Sequence, residues 1–155
     1  MPGKDRKRET RYQGAIIRDD HILLIRQRER ATGRSYWLPP GGGRESQETE
    51  ETCVRREMQE ETGLGVSVGR LLLDETPTGV CRRHLTYLCE VVSGNAGPGY
   101  EPEADAAWYD IVEVRWFDLR DSADWDDCLR DDPIIFPVLQ RIRAVLGYVW
   151  ADPDA

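Results

Sequence analysis

Apolar and polar residues alternate in several short runs along the chain, and this period of two predicts β-strands. Residues 14–18 and 21–26 form two such runs on either side of Asp19 and Asp20. Because aspartate tolerates the backbone angles of a tight turn, this pair of runs predicts a β-hairpin. The other predicted strands are residues 36–39, 66–73, 83–92 and 111–117.

Two further segments have the features of helices. Residues 49–62 contain no glycine or proline and are rich in helix-forming residues, and Gly63 suits the left-handed cap position after them. A second helix begins near Pro133 or Pro137 and has an amphipathic pattern. Its apolar positions recur at helical spacing: Val138, Leu139, Ile142, Val145, Leu146 and Val149. An α/β sandwich, with helices packed on a mixed sheet, accommodates this order of elements.

The chain of 155 residues has the length of one domain. We expect a single domain over residues 11–150, with flexible ends at residues 1–10 and 151–155. Residues 93–107 are rich in glycine, proline and acidic residues, and a loop of this length is typical of a functional or disordered segment. Residues 121–132 are acidic and favour neither helix nor strand.

Charge and cysteine content exclude several functions. The formal net charge of -8 argues against a broad DNA-binding surface, so we expect no DNA partner. No run approaches 18 apolar residues, and the polar N-terminus lacks the apolar core of a signal peptide, so we expect neither membrane insertion nor secretion. The four cysteines form no C-x-x-C pair, which argues against zinc and favours reduced thiols in a cytoplasmic protein.

The first predicted helix carries the candidate chemistry. At 100° per residue, Glu57, Glu60 and Glu61 fall within an arc of about 100°, and Val54 and Met58 lie about a quarter-turn away. Neighbouring carboxylates repel each other, and a hard divalent cation such as Mg²⁺ offsets that repulsion well. The alternative is a solvated acidic face with no function.

The wider spacing of residues around this helix decides between the two interpretations. The segment fits the pattern G-x5-E-x7-R-E-U-x-E-E-x-G-U, where U is apolar. The matching residues are Gly42, Glu48, Arg56, Glu57, Met58, Glu60, Glu61, Gly63 and Leu64. This pattern resembles the Nudix box at every position, and the likeness extends over roughly residues 11–120. Trp37 before Pro40, and the run Val114-Arg115-Trp116-Phe117, also resemble this family.

Two positions depart from the family's usual pattern. Pro39 stands where leucine or phenylalanine usually precedes the Pro-Gly-Gly, and Gln47 stands where a glycine often precedes the first glutamate of the box. Neither is a metal-binding position. Both positions affect the conformation of the loop that precedes the helix.

The resemblance implies a Nudix-like α/β/α sandwich with a mixed β-sheet. It also implies an enzyme that hydrolyses a nucleoside diphosphate linked to another moiety, with Mg²⁺ as cofactor and Mn²⁺ as a substitute. The implied metal ligands are Glu60, Glu61 and the Gly41 carbonyl, with Glu57 either a further ligand or the base that orients the attacking water. Arg56 is also an implied catalytic residue. The resemblance implies that it forms an ion pair with Glu48, and that this pair holds the loop against the helix.

Family resemblance also implies a further carboxylate from a loop late in the chain. The loop at residues 93–107 offers Glu101, Glu103 and Asp105, and its glycine and proline content suits a segment that closes over substrate. We favour Glu103, with Glu101 next, because both side chains are long enough to reach inward. Glu113 is a rival if the following strand supplies the group. The alternative is that the acidic loop is solvated and inert.

The resemblance implies a small-molecule nucleotide substrate, and we favour a nucleotide sugar or a (deoxy)nucleoside triphosphate. One alternative is a catalytically silent nucleotide sensor, whose usual mark is loss of the glutamates that are intact here. Another is an enzyme that removes a 5′ pyrophosphate from RNA, which the net charge does not favour. Homodimers are frequent in the family, so a homodimer is possible for this chain.

Overall fold

Seven strands form one mixed sheet in the computed structural model, which describes residues 10–77, 82–99 and 108–149. The strands are β1 (Arg11–Arg18), β2 (His21–Glu29), β3 (Ser35–Leu38), β4 (Gly41–Gly42), β5 (Gly65–Glu75), β6 (His84–Ser93) and β7 (Tyr109–Asp118). The helices are α1 (Glu50–Thr62), α2 (Asp127–Arg130) and α3 (Ile135–Leu146). None of the helices in the described part of the chain has the length and apolar content needed to span a membrane.

Strand β1 is the centre of the sheet. It runs parallel to β6 and antiparallel to β2 and to the short β4. The main path of the sheet is β3-β2-β1-β6-β5, and β7 adds to β2 by antiparallel pairing. Because β1 pairs with β4, it fixes the position of the segment at residues 39–43, which precedes α1 and is called the glycine loop below.

Helices cover both faces of this sheet. Successive residues of a strand point to opposite faces, and Ala15 and Ile16 of β1 accordingly belong to two different cores. The core on the Ile16 side includes Val54 and Met58 of α1, and the core on the Ala15 side includes residues of α2 and α3. This arrangement confirms the α/β/α sandwich with a mixed sheet.

The predicted hairpin is confirmed at its turn. Asp19 and Asp20 have φ angles of 51° and 63°, and two successive positive angles are the mark of the turn that joins twisted antiparallel strands. Ile17 then pairs with Ile22 across the hairpin.

Helix α1 has the two ends that its sequence predicts. The Thr49 side chain accepts a hydrogen bond of 3.1 Å from the Thr52 amide, and Gly63 ends the helix with a φ of 77°. The segment after β6 crosses this end of the helix. There the Gly97 amide donates to the Thr62 carbonyl, and the Gly99 amide donates to the Glu61 carbonyl, both at 2.9 Å.

One sequence expectation is wrong, and the structure resolves two points that the sequence left open. Helix α3 ends at Gly147, whose φ is 84°, so Val149 lies beyond the helix and is 79% exposed instead of packing on the sheet. Pro137 lies in the first turn of α3, where its missing N–H costs little. The ambiguous residues 121–132 contain the short α2. Residues 1–9 and 150–155 and most of the acidic loop at 93–107 lie outside the described residues.

We expect Gly63→Ala to lower the free energy of unfolding more than Gly147→Ala. Both glycines end helices at positive φ, so each alanine costs about 1 kcal/mol of backbone strain. An added Cβ at Gly63 also lies 3.0 Å from the Asn95 carbonyl oxygen, whereas nothing lies within 4 Å at Gly147. Urea denaturation of the two variants measures the difference, and equal losses would show that crowding at Gly63 is unimportant.

Candidate active site

The glycine loop before α1 lies directly against β1. The Gly14 amide donates to the Pro40 carbonyl at 3.0 Å, and Gly41 and Gly42 pair with Gln13 and Tyr12. A Cβ at Gly41 would lie 2.4 Å from the Tyr12 carbonyl oxygen, so no larger residue fits there. The three-glycine run therefore permits a close backbone approach.

The same loop covers two glutamates of α1. Glu57 and Glu61 are both fully buried. A Cβ at Gly42 would lie 2.5 Å from Glu57 Oε1, so the absence of a side chain at Gly42 makes room for that carboxylate. The Gly41 amide donates a 2.6 Å hydrogen bond to Glu61 Oε1. Each glycine thus faces one buried carboxylate.

Arg56 joins the helix to the loop. Its Nε and Nη2 bind the two oxygens of Glu48 at 2.6 and 2.9 Å, which is the bidentate geometry favoured by arginine and carboxylate. Nη2 also donates to the Gly43 carbonyl at 3.1 Å. Nη1 donates to Glu57 at 3.0 Å and to Glu60 at 3.1 Å, so these two carboxylates lie side by side.

These contacts shift both groups of the ion pair toward their charged forms. The hydrogen bonds from Arg56 lower the pKa of the Glu48 carboxyl below its usual value. The hydrogen bond to Glu48, with the charges of Glu57 and Glu60, raises the pKa of the Arg56 guanidinium. The predicted ion pair between Glu48 and Arg56 is present.

The donor atoms at this site suit a hard divalent cation. Glu57, Glu60 and Glu61 supply carboxylate oxygens, and Glu57 and Glu60 share one guanidinium with Glu48, so carboxylates outnumber that positive charge. Within the described ranges, no three histidine, cysteine, aspartate or glutamate side chains stand close enough together to form a finished metal site. The Glu57 and Glu60 carboxylates accept hydrogen bonds from Arg56, and the Glu61 carboxylate accepts one from the Gly41 amide.

Comparison with protein families agrees with this geometry. The sequence model of the NUDIX domain matches residues 9–136, which is most of the chain. The chain belongs to the Nudix family.

Relatives of known sequence and structure support the assignment. The chain is 32% identical over 100 residues to the NAD-capped RNA hydrolase NudC of Photobacterium profundum, a match that covers 64% of this chain and 37% of that relative. It is 44% identical over 104 residues to a MutT-like protein of Streptomyces ambofaciens, covering 65% of this chain and 63% of that protein. A NUDIX hydrolase from Nitrosomonas europaea has the same fold, with a TM-score of 0.67, 21% identity and 92% coverage of both chains. The chain thus spans little more than a third of the first relative's length.

Glu113, one candidate for the distal carboxylate of this Nudix domain, lies on the opposite face of the sheet from α1. Its neighbour Val114 packs in the core that contains α1, so the Glu113 side chain points the other way. There it forms ion pairs of 2.7 Å with Arg115 and 3.7 Å with Arg26. Glu101 and Glu103 lie outside the described residues.

Sequence reasoning missed the contact between the acidic loop and the Nudix helix. A Cβ at Gly99 would lie 1.8 Å from the Glu60 carbonyl oxygen, so Gly99 lies directly on the backbone of α1. The signal was the repeated glycine at Gly94, Gly97 and Gly99, which permits such close packing. The loop therefore starts beside the helix that carries the glutamates.

We expect Arg56→Ala to lower the free energy of unfolding by about 3 kcal/mol in the presence of EDTA, because it removes the cation from a partly buried ion-pair network. Arg55→Ala is the matched control on the same helix. Arg55 is 55% exposed and lies 4.0 Å from Glu51, so its loss should cost less than about 0.5 kcal/mol. Equal effects in urea denaturation would contradict a central role for Arg56.

Proposed function

We propose that this chain is a divalent-metal-dependent hydrolase that cleaves a pyrophosphate bond in a nucleoside diphosphate linked to another moiety. The observation that carries the proposal is the pair of fully buried carboxylates, Glu57 and Glu61, each in contact with a glycine of the loop. Buried carboxylates on one helix face are costly, and a site that binds a cation explains why they are there.

Each residue has a distinct role in this proposal. Glu60, Glu61 and the Gly41 carbonyl hold Mg²⁺, which when bound lowers the pKa of water and neutralises charge on the phosphoryl oxygens. Glu57 is a further ligand or accepts the proton of the attacking water. Arg56 sets the positions of Glu57 and Glu60 through its Nη1, and Glu48 holds Arg56 in place.

Nucleotide sugars and (deoxy)nucleoside triphosphates are the substrates we propose. The relative from Photobacterium profundum is named for NAD-capped RNA, in which a nucleoside diphosphate is also linked to another moiety. The net charge of -8 favours a small substrate over a long polyanion. A phosphate-release screen should include nucleotide sugars, nucleoside triphosphates, NAD⁺ and 5′-triphosphate RNA. Binding of nucleotides without turnover would instead support a sensor.

The sequence predictions on cellular location, partners and assembly state are part of the same proposal. We expect a cytoplasmic protein with no DNA or membrane partner, and a homodimer is its possible assembly state. Light scattering of the purified protein measures that state directly.

Turnover should require Mg²⁺ or Mn²⁺ and stop in excess EDTA. Glu60→Gln and Glu61→Gln should each weaken Mn²⁺ binding and lower kcat by at least about a hundredfold, since each removes a charged ligand. Glu51→Gln is the control, because Glu51 is on the same helix and 61% exposed. A normal rate for Glu61→Gln would contradict the proposed ligand set, and full turnover in EDTA would exclude the mechanism.

The distal carboxylate remains a prediction, and one contact supports it. The Gly99 amide donates to the Glu61 carbonyl at 2.9 Å, which fixes the start of the acidic loop beside the candidate site. Glu101 and Glu103 follow two and four residues later, and four residues span at most about 14 Å. The length of chain after Gly99 is therefore compatible with an approach of either glutamate to α1, whereas the Glu113 side chain faces away from that helix.

Single substitutions to glutamine at Glu101, Glu103 and Glu113 test this prediction. With Mg²⁺ saturating, we expect kcat to fall at least about a hundredfold in Glu103→Gln, as for loss of a catalytic base, and to stay near wild type in the other two. A matching loss in Glu101→Gln alone would move the role to Glu101. Full activity in all three variants would show that the helix carries the chemistry alone.

A further inference from the structure

The glycine loop begins with two consecutive prolines, whose buried carbonyl oxygens accept hydrogen bonds from groups elsewhere in the fold. Pro39 and Pro40 have no backbone N–H, so this part of the loop can form backbone hydrogen bonds only through its carbonyl oxygens. Both residues are buried, and a buried carbonyl without a donor is costly. The Gly14 amide satisfies Pro40, and the Arg11 side chain satisfies Pro39 with a 2.8 Å hydrogen bond from Nη2.

Arg11 is itself held by a chain of buried hydrogen bonds. The residue is 7% exposed, and its Nε donates to Gln13 Oε1 at 3.1 Å. The Gln13 amide Nε2 donates to Thr86 Oγ1 at 2.8 Å, and Gln13 pairs with Thr86 across the parallel strands β1 and β6. Gln13 and Thr86 are buried as well. The guanidinium therefore has little freedom to follow a moving loop.

The loop transmits this restraint to the glutamate helix. The Pro39 carbonyl lies two residues before Gly41, whose amide donates to Glu61 at 2.6 Å. The intervening Pro40 has a fixed φ, so only its ψ separates the orientation of the peptide after Pro39 from that of the Gly41 amide, and the hydrogen bond from the Gly14 amide to the Pro40 carbonyl restrains that torsion. A shift at Pro39 thus moves the donor of Glu61 and the carbonyl proposed as a metal ligand.

We propose that Arg11 is a positioning residue, which through the Pro39 carbonyl sets the orientation of Gly41 toward Glu61 and toward a divalent cation. The part that concerns the cation rests on the proposed function. The part that concerns the Gly41 amide does not, since it rests on the 2.6 Å hydrogen bond from that amide to Glu61. Arg11 lies on the face of β1 away from α1 and acts only through the loop.

Arg11→Met removes the donor and keeps much of the side chain's length. Arg83→Met is the matched control, because Arg83 is at the same end of the sheet but is 54% exposed and pairs with Asp74. Protein labelled with ¹⁵N-glycine reports the Gly41 amide directly by NMR, with the Gly147 amide as internal reference. We expect the Gly41 resonance to move in Arg11→Met and to stay in place in Arg83→Met.

Direct titration with Mn²⁺, in the absence of nucleotide, measures the second consequence. We expect Arg11→Met to bind Mn²⁺ about tenfold more weakly than wild type, as for loss of a group that orients a ligand. Arg83→Met should bind normally. Arg11→Lys, which keeps a donor for Pro39 but loses the bond to Gln13, should recover part of the affinity.

An unmoved Gly41 resonance, or wild-type Mn²⁺ affinity, in folded Arg11→Met overturns the inference. If Arg11→Met does not fold, Thr86→Val carries the test. It removes the Oγ1 that holds Gln13, so the Gly41 resonance should still move, and an unmoved resonance overturns the inference. If the wild-type protein binds no Mn²⁺, the proposed function fails, and the Gly41 resonance alone decides the role of Arg11.

Discussion

The structure around helix α1 depends on one guanidinium, that of Arg56, which several carboxylates share. Arg56 binds Glu48, Glu57 and Glu60, and Glu57 has no exposure to solvent. Buried carboxylates are stable only with charge or hydrogen-bond partners, so Arg56 and the Gly41 amide at Glu61 permit three carboxylates on one helix face. In the function proposed above, the excess of carboxylate charge that remains is also what attracts a divalent cation. Stability and function therefore use the same groups.

The sheet controls this arrangement through β1. Its pairing with Gly41 and Gly42 brings the loop backbone onto the helix, where a Cβ at Gly42 would clash with Glu57. The other face of the same strand carries Arg11, which bonds to the Pro39 carbonyl. One strand thus positions the loop from both its backbone and its side chains.

Local sequence patterns predicted much of the fold. The hairpin at Asp19 and Asp20 and the helix that ends at Gly63 depend on turn chemistry, capping and periodicity, which a few neighbouring residues determine. Strand β4 was not predicted, because two glycines show no periodicity and form a strand only when β1 lies beside them. Val149 was wrongly placed on a helix face, because Gly147 ends that helix first.

For the site, the sequence by itself determined the identity of the helix glutamates and the ion pair of Arg56 with Glu48, because one helix and one short loop contain them all. Tertiary structure decided which glutamates are buried, since burial depends on the approach of a loop that β1 positions. It also decided that Glu113 faces away from the helix, because a strand's faces acquire meaning only when the helices pack on them. The bond between Arg11 and Pro39 joins residues 28 positions apart, and no local pattern predicts such a contact.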